Sequence, residues 1–276
     1  MDTVKRYLLL SSFRYAPFNK ELTTRKWWWV LILSVICVVC GAIAIISDNY
    51  YNHNFRWYNT DLPSLEEIAT WDEEKRHNTL FRLSRWESFK SGDQFSQLVQ
   101  MQIKPLGLNA TERFHFLELG MGVGAFSRII LQQFPLSSGV GIDIVPAAIE
   151  ISKIVLPADR MTTVVGDMKK IDSKGSTFHA VFVPGALCLL FSMDQVRLAV
   201  AEIHRVLKPG GGLCISLMPS ATSETGSCTV RIPKSFWFEE VAYLYGSKIL
   251  TIEDMDNWNL PHSMGRYHMC LRKPAF

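Results

Sequence analysis

Three glycines at every second position form a segment that could bind a charged small molecule. Gly120, Gly122 and Gly124 directly follow the apolar block 114–119, and an apolar pattern with three- and four-residue spacing comes after them. This order is typical of a buried strand that ends in a turn and opens into a helix. Glycine accepts positive φ and lets a ligand approach the backbone, and free N–H groups of the helix attract an anion. The sequence therefore predicts a ligand-binding turn.

Three acidic residues lie at the ends of predicted strands. Glu118 precedes the first glycine by two positions, where it can accept a hydrogen bond from a ligand ammonium group. Asp143 ends the strand 139–142, where a carboxylate can bind both ribose hydroxyls. Asp167 ends a third strand, where an adenine amino group can donate to it. Ligands of open α/β sheets bind at the carboxyl ends of the strands, so these carboxylates are candidate ligand contacts.

The glycines alone leave two classes of cofactor open. The spacing Gly120-x-Gly122-x-x-Ala125 also satisfies the loose fingerprint by which nicotinamide and flavin enzymes bind dinucleotides. A second pattern narrows the choice. The predicted helix from Glu202 ends in a turn at 208–211, where a proline stops the helix and glycines supply the turn, and the strand 212–217 follows.

Together these motifs, from about Leu98 to Lys273, resemble the class I S-adenosylmethionine-dependent methyltransferases of the type 11 kind. The resemblance implies S-adenosyl-L-methionine as the cofactor. It also implies an α/β fold: a Rossmann-like, seven-stranded, mostly parallel sheet with helices on both faces and an antiparallel edge strand. One departure is His179, where the family usually has aspartate before its fourth strand, and it puts the local hydrogen bonding in doubt.

The resemblance also implies the role of each cofactor residue. In the family, the glycine loop and its acidic residue hold the methionine part of the cofactor, the second acid binds the ribose, and the third acid with its apolar neighbour contacts adenine. The loop after the fourth strand faces the reactive end. The cofactor residues expected here are Glu118, Gly120, Gly122, Gly124, Asp143, Ile144, Asp167, Met168 and Pro184.

The methyl acceptor is a small molecule, a lipid-associated metabolite or a protein group. Methyl transfer from a sulfonium is a direct displacement, so a general base is needed only where the acceptor atom holds its proton. His262, in the polar loop 256–263, is the first candidate for that base and His268 the second. The alternative functions are a catalytically silent, membrane-tethered cofactor-binding or scaffold protein and, third, a nicotinamide-dependent oxidoreductase.

Residues 27–46 carry no charge and are long enough to span a bilayer as a helix. The alternatives to a membrane span are a signal peptide that is cleaved after Ala42-Ile43-Ala44 and a buried core helix. Six basic and two acidic residues precede the segment, whereas Arg56 is the one basic residue among the twenty that follow it. The positive-inside rule then places the amino terminus in the cytosol and the enzyme on the lumenal or extracellular side. The reverse orientation is the alternative.

The predicted organisation is a basic tail, a transmembrane helix, a juxtamembrane linker with a helical cap, and a methyltransferase domain, at 1–26, 27–47, 48–92 and 93–276. The formal net charge of the whole chain is +3. The tail carries +4 and the rest of the chain carries −1, so the methyltransferase domain has no basic face for nucleic acid. The oligomeric state stays open.

The cysteines are too sparse to predict a disulfide scaffold. Cys214 and Cys270 fall in predicted strands and are expected to be small buried residues, while Cys37 and Cys40 lie in the membrane segment. No metal site is predicted. A capping box at Ser64 predicts a helix start. Further helices are expected at 93–103 and 236–245, and strands at 248–253 and 267–272.

Overall fold

The computed structural model of the chain describes residues 64–72, 92–217, 230–254 and 267–276. The chain divides into two compact units, Met1–Trp57 and Tyr58–Phe276, and every described residue belongs to the second. The predicted membrane segment lies outside the described residues, as do Cys37, Cys40 and His262. Within the described ranges, no helix is long and apolar enough to cross a bilayer.

A seven-stranded sheet forms the centre of the described unit. Its strands are β1 (His115–Leu119), β2 (Ser138–Asp143), β3 (Met161–Val165), β4 (Phe178–Pro184), β5 (Leu207–Leu217), β6 (Lys248–Asp254) and β7 (Tyr267–Arg272). Their order is β3-β2-β1-β4-β5-β7-β6. The first five strands pair in parallel. The mostly parallel sheet of seven strands is therefore confirmed.

The sequence analysis expected an antiparallel strand at the edge of the sheet, and this expectation is wrong. Strand β7 runs antiparallel to both of its neighbours and lies between β5 and β6. The edge position is taken by β6, because β6 pairs with β7 and not with β5. The order of strands along the chain does not reveal this insertion.

Five of the seven α-helices in the described residues are at least five residues long, and they connect or cover the strands. They are α1 (Leu65–Ala69), α2 (Gly92–Ile103), α3 (Ala125–Gln133), α4 (Pro146–Val155) and α5 (Met193–Val206). Side chains cap two of them: Ser64 Oγ accepts from Glu67 N at 3.1 Å and Ser192 Oγ accepts from Gln195 N at 3.3 Å. The predicted capping box and the helix at 93–103 are thus confirmed.

The predicted carboxyl-terminal helix has an irregular centre. It consists of a short α-helix, a π-helical turn and a second short α-helix, at Lys234–Phe236, Trp237–Ala242 and Tyr243–Tyr245. Trp237 is fully buried, and its Nε1 donates to Tyr267 Oη at 2.7 Å. This bond attaches the helical segment to the first residue of β7.

The strand order reverses at β1 and β4. From β1 the chain moves to β2 and β3 on one side, whereas β4 and β5 lie on the other side. Since crossovers between parallel strands are right-handed, helices from the two halves cover opposite faces. A crevice opens at such a switch point, at the carboxyl ends of β1 and β4, and it is where ligands of doubly wound sheets bind.

The predicted turn at 208–211 is a bulge within β5. Helix α5 ends at Val206 and β5 begins at the next residue. Phe178 pairs with Leu207, and Ala180 pairs with Gly212, so one residue of β4 faces four of β5 in this interval. Gly210 adopts a φ of 73°, which a bulge of this size needs at one position.

His179 makes a backbone contact in place of the aspartate that the family usually has. Its Nδ1 accepts from the backbone N of His115 at 2.9 Å, which joins the beginnings of β1 and β4. Burial, and then the positive charge of Lys208, lower the pKa of His179, so the ring stays neutral and can accept this bond. His179 thus has a local hydrogen-bonding partner. It lies at the amino ends of the parallel strands, opposite the crevice.

Two cysteines that were expected to be separate buried residues form a disulfide. Cys214 on β5 and Cys270 on β7 are directly opposed in the antiparallel pair, and their sulfurs are bonded. Cys188 is disulfide-bonded as well. The prediction was wrong because it rested on the number of cysteines. Cys214 and Cys270 are 56 positions apart, and only the pairing of β5 with β7 makes them neighbours.

Replacing both Cys214 and Cys270 with alanine should lower the free energy of unfolding by about 2 to 4 kcal/mol, since the unfolded chain regains the freedom that the cross-link removes. Denaturant unfolding of the detergent-solubilised full chain, without reductant, measures the difference. Adding reductant to both proteins is the control. It also opens the disulfide of Cys188 in each, so wild type and variant should then have similar stability. Equal stability of variant and wild type without reductant would show that the bond does not form.

Candidate functional site

The glycine turn after β1 has the predicted conformation. Gly120, Gly122 and Gly124 have φ values of 67°, 54° and 88°, all in the left-handed region that side chains rarely adopt. A Cβ on Gly120 would lie 2.1 Å from Ala186 Cβ. The loop after β1 therefore touches the loop after β4, and these two loops form the walls of the crevice at the switch point.

Glu118 is buried beneath this turn, with 1% of its surface exposed. Its Oε2 accepts hydrogen bonds from Ser127 N at 3.0 Å and from Ser127 Oγ. Burial raises the pKa of Glu118 to about 8, although the two bonds from Ser127 act in the opposite direction. Ser127 is the third residue of α3, so Glu118 fixes the start of that helix against the end of β1.

Ser127 was not among the predicted site residues. A signal for it exists in the sequence, because the third residue of a helix has an N–H without an intrahelical partner. A serine there offers a second donor to a nearby carboxylate. The distance of nine residues to Glu118 gives no hint of the contact, which depends on the fold of the glycine turn.

Asp143 ends β2, as predicted, and connects that strand to the glycine turn. Its Oδ2 accepts from Gly122 N at 2.7 Å, and its Oδ1 accepts from Val145 N at 2.9 Å. Burial raises the pKa of Asp143. A carboxylate oxygen can accept two hydrogen bonds, so each oxygen retains capacity for a ligand hydroxyl.

The third acidic residue lies beyond its strand. Strand β3 ends at Val165, so the predicted strand end at Asp167 is wrong by two residues. The carboxylate of Asp167 accepts from Lys169 N at 2.9 Å and pairs with Lys169 Nζ at 2.8 Å. These bonds form a local turn, and they keep Asp167 close to the carboxyl ends of β2 and β3.

Apolar side chains accompany these carboxylates. Ile144, directly after Asp143, and Val165, at the end of β3, are exposed to solvent. The Met168 side chain approaches within 3.9 Å of the position that a Cβ on Gly120 would occupy. The structure therefore places exposed apolar surface next to the carboxylate of Asp143, an arrangement that suits a flat ring attached to a ribose.

The remaining predicted site residues are Pro184, His268 and His262, and the structure describes the first two. Pro184 ends β4 and is buried beside the crevice, and the next residue, Gly185, donates its N–H to Ser216 O at 2.9 Å. His268 lies on β7, two strands away from β4, and is directly opposite Ser216. Burial lowers the pKa of His268. His262 lies outside the described residues, and its role stays a prediction.

The charge of the crevice distinguishes between the two classes of cofactor. Glu118 is buried there and Asp143 is half-buried, and among the described residues no lysine or arginine forms an ion pair with either of them. The anionic pyrophosphate of a dinucleotide would lie beside these two acidic groups and disfavour their charged forms. A ligand with positive charge would favour the charged forms of both and would lower the pKa of Glu118 from its raised value of about 8. The residues present fit the sulfonium and ammonium groups of S-adenosylmethionine.

Comparisons with known proteins agree with this geometry. Residues 116–211 match the family model of a methyltransferase domain. A malonyl-[acyl-carrier protein] O-methyltransferase from Methylococcus capsulatus is 32% identical over 107 residues, which are 38% of each chain. This chain spans about two fifths of the length of the curated relatives it matches.

The solved structures similar to this chain have the same fold. The [4+2]-cyclase SpnF superposes with a TM-score of 0.54 at 18% identity, over 66% of this chain and 81% of that one. A geranyl diphosphate C-methyltransferase from Streptomyces coelicolor, in complex with S-adenosyl-L-homocysteine, superposes with a TM-score of 0.53 at 13% identity, over 64% and 76%. The fold is that of the class I methyltransferases. The comparisons also support S-adenosylmethionine as the cofactor of this methyltransferase fold.

Replacing Gly120 with alanine should disrupt the crevice, because the new Cβ would lie 2.1 Å from Ala186 Cβ in addition to the strain at a φ of 67°. We expect a loss of unfolding free energy of about 3 kcal/mol or more. We also expect loss of binding to S-adenosylmethionine. Thermal unfolding and calorimetric titration of the full chain measure both.

Gly107→Ala is the matched control. Gly107 has a φ of 64° but no atom within 4 Å of its added Cβ, so it carries the same backbone strain without the collision. It should cost about 1 kcal/mol and leave binding unchanged. Equal effects of the two substitutions would contradict the contact between the two loops.

Proposed function

We propose that the chain is a membrane-anchored methyltransferase that transfers a methyl group from S-adenosylmethionine to a small-molecule, lipid-associated or protein acceptor. The observation that carries this proposal is the acidic crevice. Glu118 is buried and Asp143 half-buried beside three glycines with positive φ, and the crevice suits a positively charged adenosyl compound. The match of residues 116–211 to a methyltransferase domain supports the same reaction class.

Each residue of the crevice has a role in this proposal. The methionine part of the cofactor would be held by Glu118 and the glycine turn, the ribose by Asp143, and the adenine by the apolar and polar groups that follow β2 and β3. Those groups are Ile144, Asp167 and Met168. Pro184 would border the reactive end. The cofactor supplies a methyl group that is already activated on a positively charged sulfur, so alignment of the acceptor provides much of the acceleration.

Titration of the full chain in detergent with S-adenosylmethionine tests cofactor binding, and formation of S-adenosylhomocysteine tests turnover. Asp143→Ala should weaken binding by about 1 to 3 kcal/mol, since charge-assisted hydrogen bonds to the ribose are lost. Asp159→Ala is the control. Asp159 is an exposed aspartate just before β3, at the amino ends of the parallel strands and thus opposite the crevice. We expect it to bind like the wild type.

The outcomes separate the alternatives. Binding without turnover on any acceptor would favour the silent cofactor-binding or scaffold protein. Binding of a nicotinamide dinucleotide in place of S-adenosylmethionine would favour the oxidoreductase. Unchanged affinity of Asp143→Ala would contradict the placement of the ribose.

For the topology, we propose that the amino terminus is cytosolic and that the domain faces the lumen or the extracellular space. The distribution of Lys and Arg around residues 27–46 supports this orientation. The disulfide between Cys214 and Cys270 supports it independently, because such bonds persist in oxidising compartments and are rare in the cytosol. In this orientation the enzyme depends on import of S-adenosylmethionine, which is made in the cytosol.

A glycosylation sequon gives the topology a sharp test. Asn109 begins the triplet Asn109-Ala110-Thr111 in an exposed loop before β1. We expect the cellular protein to carry a glycan that peptide N-glycosidase removes and that Asn109→Gln abolishes. In sealed microsomes, a tag after Phe276 should resist added protease until detergent is present. Digestion of the tag in intact microsomes would show that the domain faces the cytosol.

A further inference from the structure

Three buried polar side chains from three different elements meet at the crevice end of β5. Gln102 on α2, Ser216 on β5 and His268 on β7 are 0%, 2% and 1% exposed. Gln102 Nε2 donates to Ser216 Oγ. Ser216 and His268 are opposite each other in the antiparallel pair, so their side chains lie on the same face of the sheet. These three residues are called the polar cluster below.

The polar cluster lacks a hydrogen-bonding partner at two atoms. Among the described residues, neither Gln102 Oε1 nor His268 Nδ1 has one, although both atoms are buried. A buried polar atom without a partner typically costs about 1 to 3 kcal/mol. Gln102 and His268 both adjoin Ser216, so two such atoms in one cluster point to a further polar group that binds there.

The position of the polar cluster places it on the acceptor side of the proposed reaction. Ser216 pairs with Pro184, and Ser216 O accepts from Gly185 N at 2.9 Å. The cluster is thus next to the loop that borders the reactive end in the proposed function. None of its three residues lies in the stretch 116–211 that matches the methyltransferase domain. The likeness to other methyltransferases therefore does not predict what the cluster binds.

The groups that face His268 define its chemistry. Ser216 faces it from β5, and Thr251 and Glu253 face it from β6, where Thr251 Oγ1 is 3.5 Å from His268 Nε2. Burial lowers the pKa of His268, and the charge of Glu253 acts in the opposite direction. The ring is therefore neutral near pH 7. When Nε2 carries the proton and points to Thr251, Nδ1 has a free lone pair.

The polar cluster suits a hydroxyl group better than a carboxylate. Its side chains are uncharged, and no lysine or arginine of the described residues donates a hydrogen bond to them. A carboxylate bound there would be desolvated without a counter-charge. A hydroxyl can donate to His268 Nδ1 and accept from Ser216 Oγ, whose hydrogen is free because its oxygen accepts from Gln102.

We propose that Gln102, Ser216 and His268 bind the methyl acceptor through a hydroxyl group, which makes the reaction an O-methylation that forms an ether. This inference rests on the proposed function. The acceptor oxygen gives its proton to His268 Nδ1 and gains the methyl group, while the bond between that methyl group and the sulfonium sulfur breaks. The sulfur becomes a neutral thioether, and the imidazolium of His268 returns the proton to solvent.

The first test identifies the bond without knowing the acceptor. The full chain in detergent is incubated with S-adenosylmethionine that is radiolabelled in the methyl group, together with a lipid and metabolite extract of cells that express the protein. We expect labelled product that resists mild alkali and releases methyl iodide in hot hydriodic acid, as an ether does. Release of labelled methanol in alkali would reveal a methyl ester, and resistance to both treatments would reveal a methyl group on nitrogen or carbon. Either result overturns the proposal.

The second test uses variants of the polar cluster. His268→Gln should reduce label transfer about 100-fold or more, in the range of a lost general base, and Ser216→Ala should also reduce it. In both variants calorimetry should give a wild-type Kd for S-adenosylmethionine, which confirms folding. Wild-type transfer should fall in acid as His268 becomes protonated, and His268→Gln should lose this dependence.

Ser247→Ala is the matched control. Ser247 is also buried with an unpartnered hydroxyl, but it lies before β6 at the opposite edge of the sheet, where β6 pairs with the end of β7. It should transfer label like the wild type. Wild-type transfer and an unchanged pH profile in His268→Gln would overturn the inference. Cofactor binding without any label transfer, by contrast, would refute the proposed function itself.

Discussion

Two acidic residues without a counter-ion among the described residues, the buried Glu118 and the half-buried Asp143, determine the character of this crevice. Glu118 and Asp143 are attached to the same turn from two sides, the first through Ser127 and the second through Gly122 N. Their hydrogen bonds offset part of the desolvation, and their pKa values are nevertheless raised by burial. Because the pKa of Glu118 is raised to about 8, this group mostly keeps its proton near pH 7. A cationic ligand at this turn would favour the charged forms of Glu118 and Asp143, and an anionic ligand would disfavour them. The choice of cofactor follows from this electrostatic constraint.

The conformation of the glycine turn and the end of β2 could be predicted from the sequence because their residues act locally. The turn at Gly120, Gly122 and Gly124 needs glycines for backbone reasons, and Asp143 lies at a strand end that the apolar pattern reveals. The end of the third strand was misplaced because the prediction included Gly166 and Asp167, whereas β3 ends with the apolar run at Val165. These local signals depend on the backbone of one or two elements, which a linear sequence records directly.

The disulfide and the polar cluster could not be predicted in the same way because their contacts join distant positions. Cys214 meets Cys270, and Ser216 meets His268, only because β7 inserts between β5 and β6. Gln102 reaches the same place from a helix that precedes the whole sheet. The sequence suggested His268 as a candidate base but gave no neighbours for it. Strand insertion and helix packing supply those neighbours, and neither has a local signature.

The most direct test of the account is an experimental structure of the full chain with S-adenosylmethionine bound. The account predicts the ribose hydroxyls on the carboxylate of Asp143, the adenine ring against Ile144, and the methionine part beside the glycine turn above Glu118. A cofactor bound elsewhere, or a dinucleotide whose pyrophosphate occupies the turn despite the two carboxylates, would contradict it.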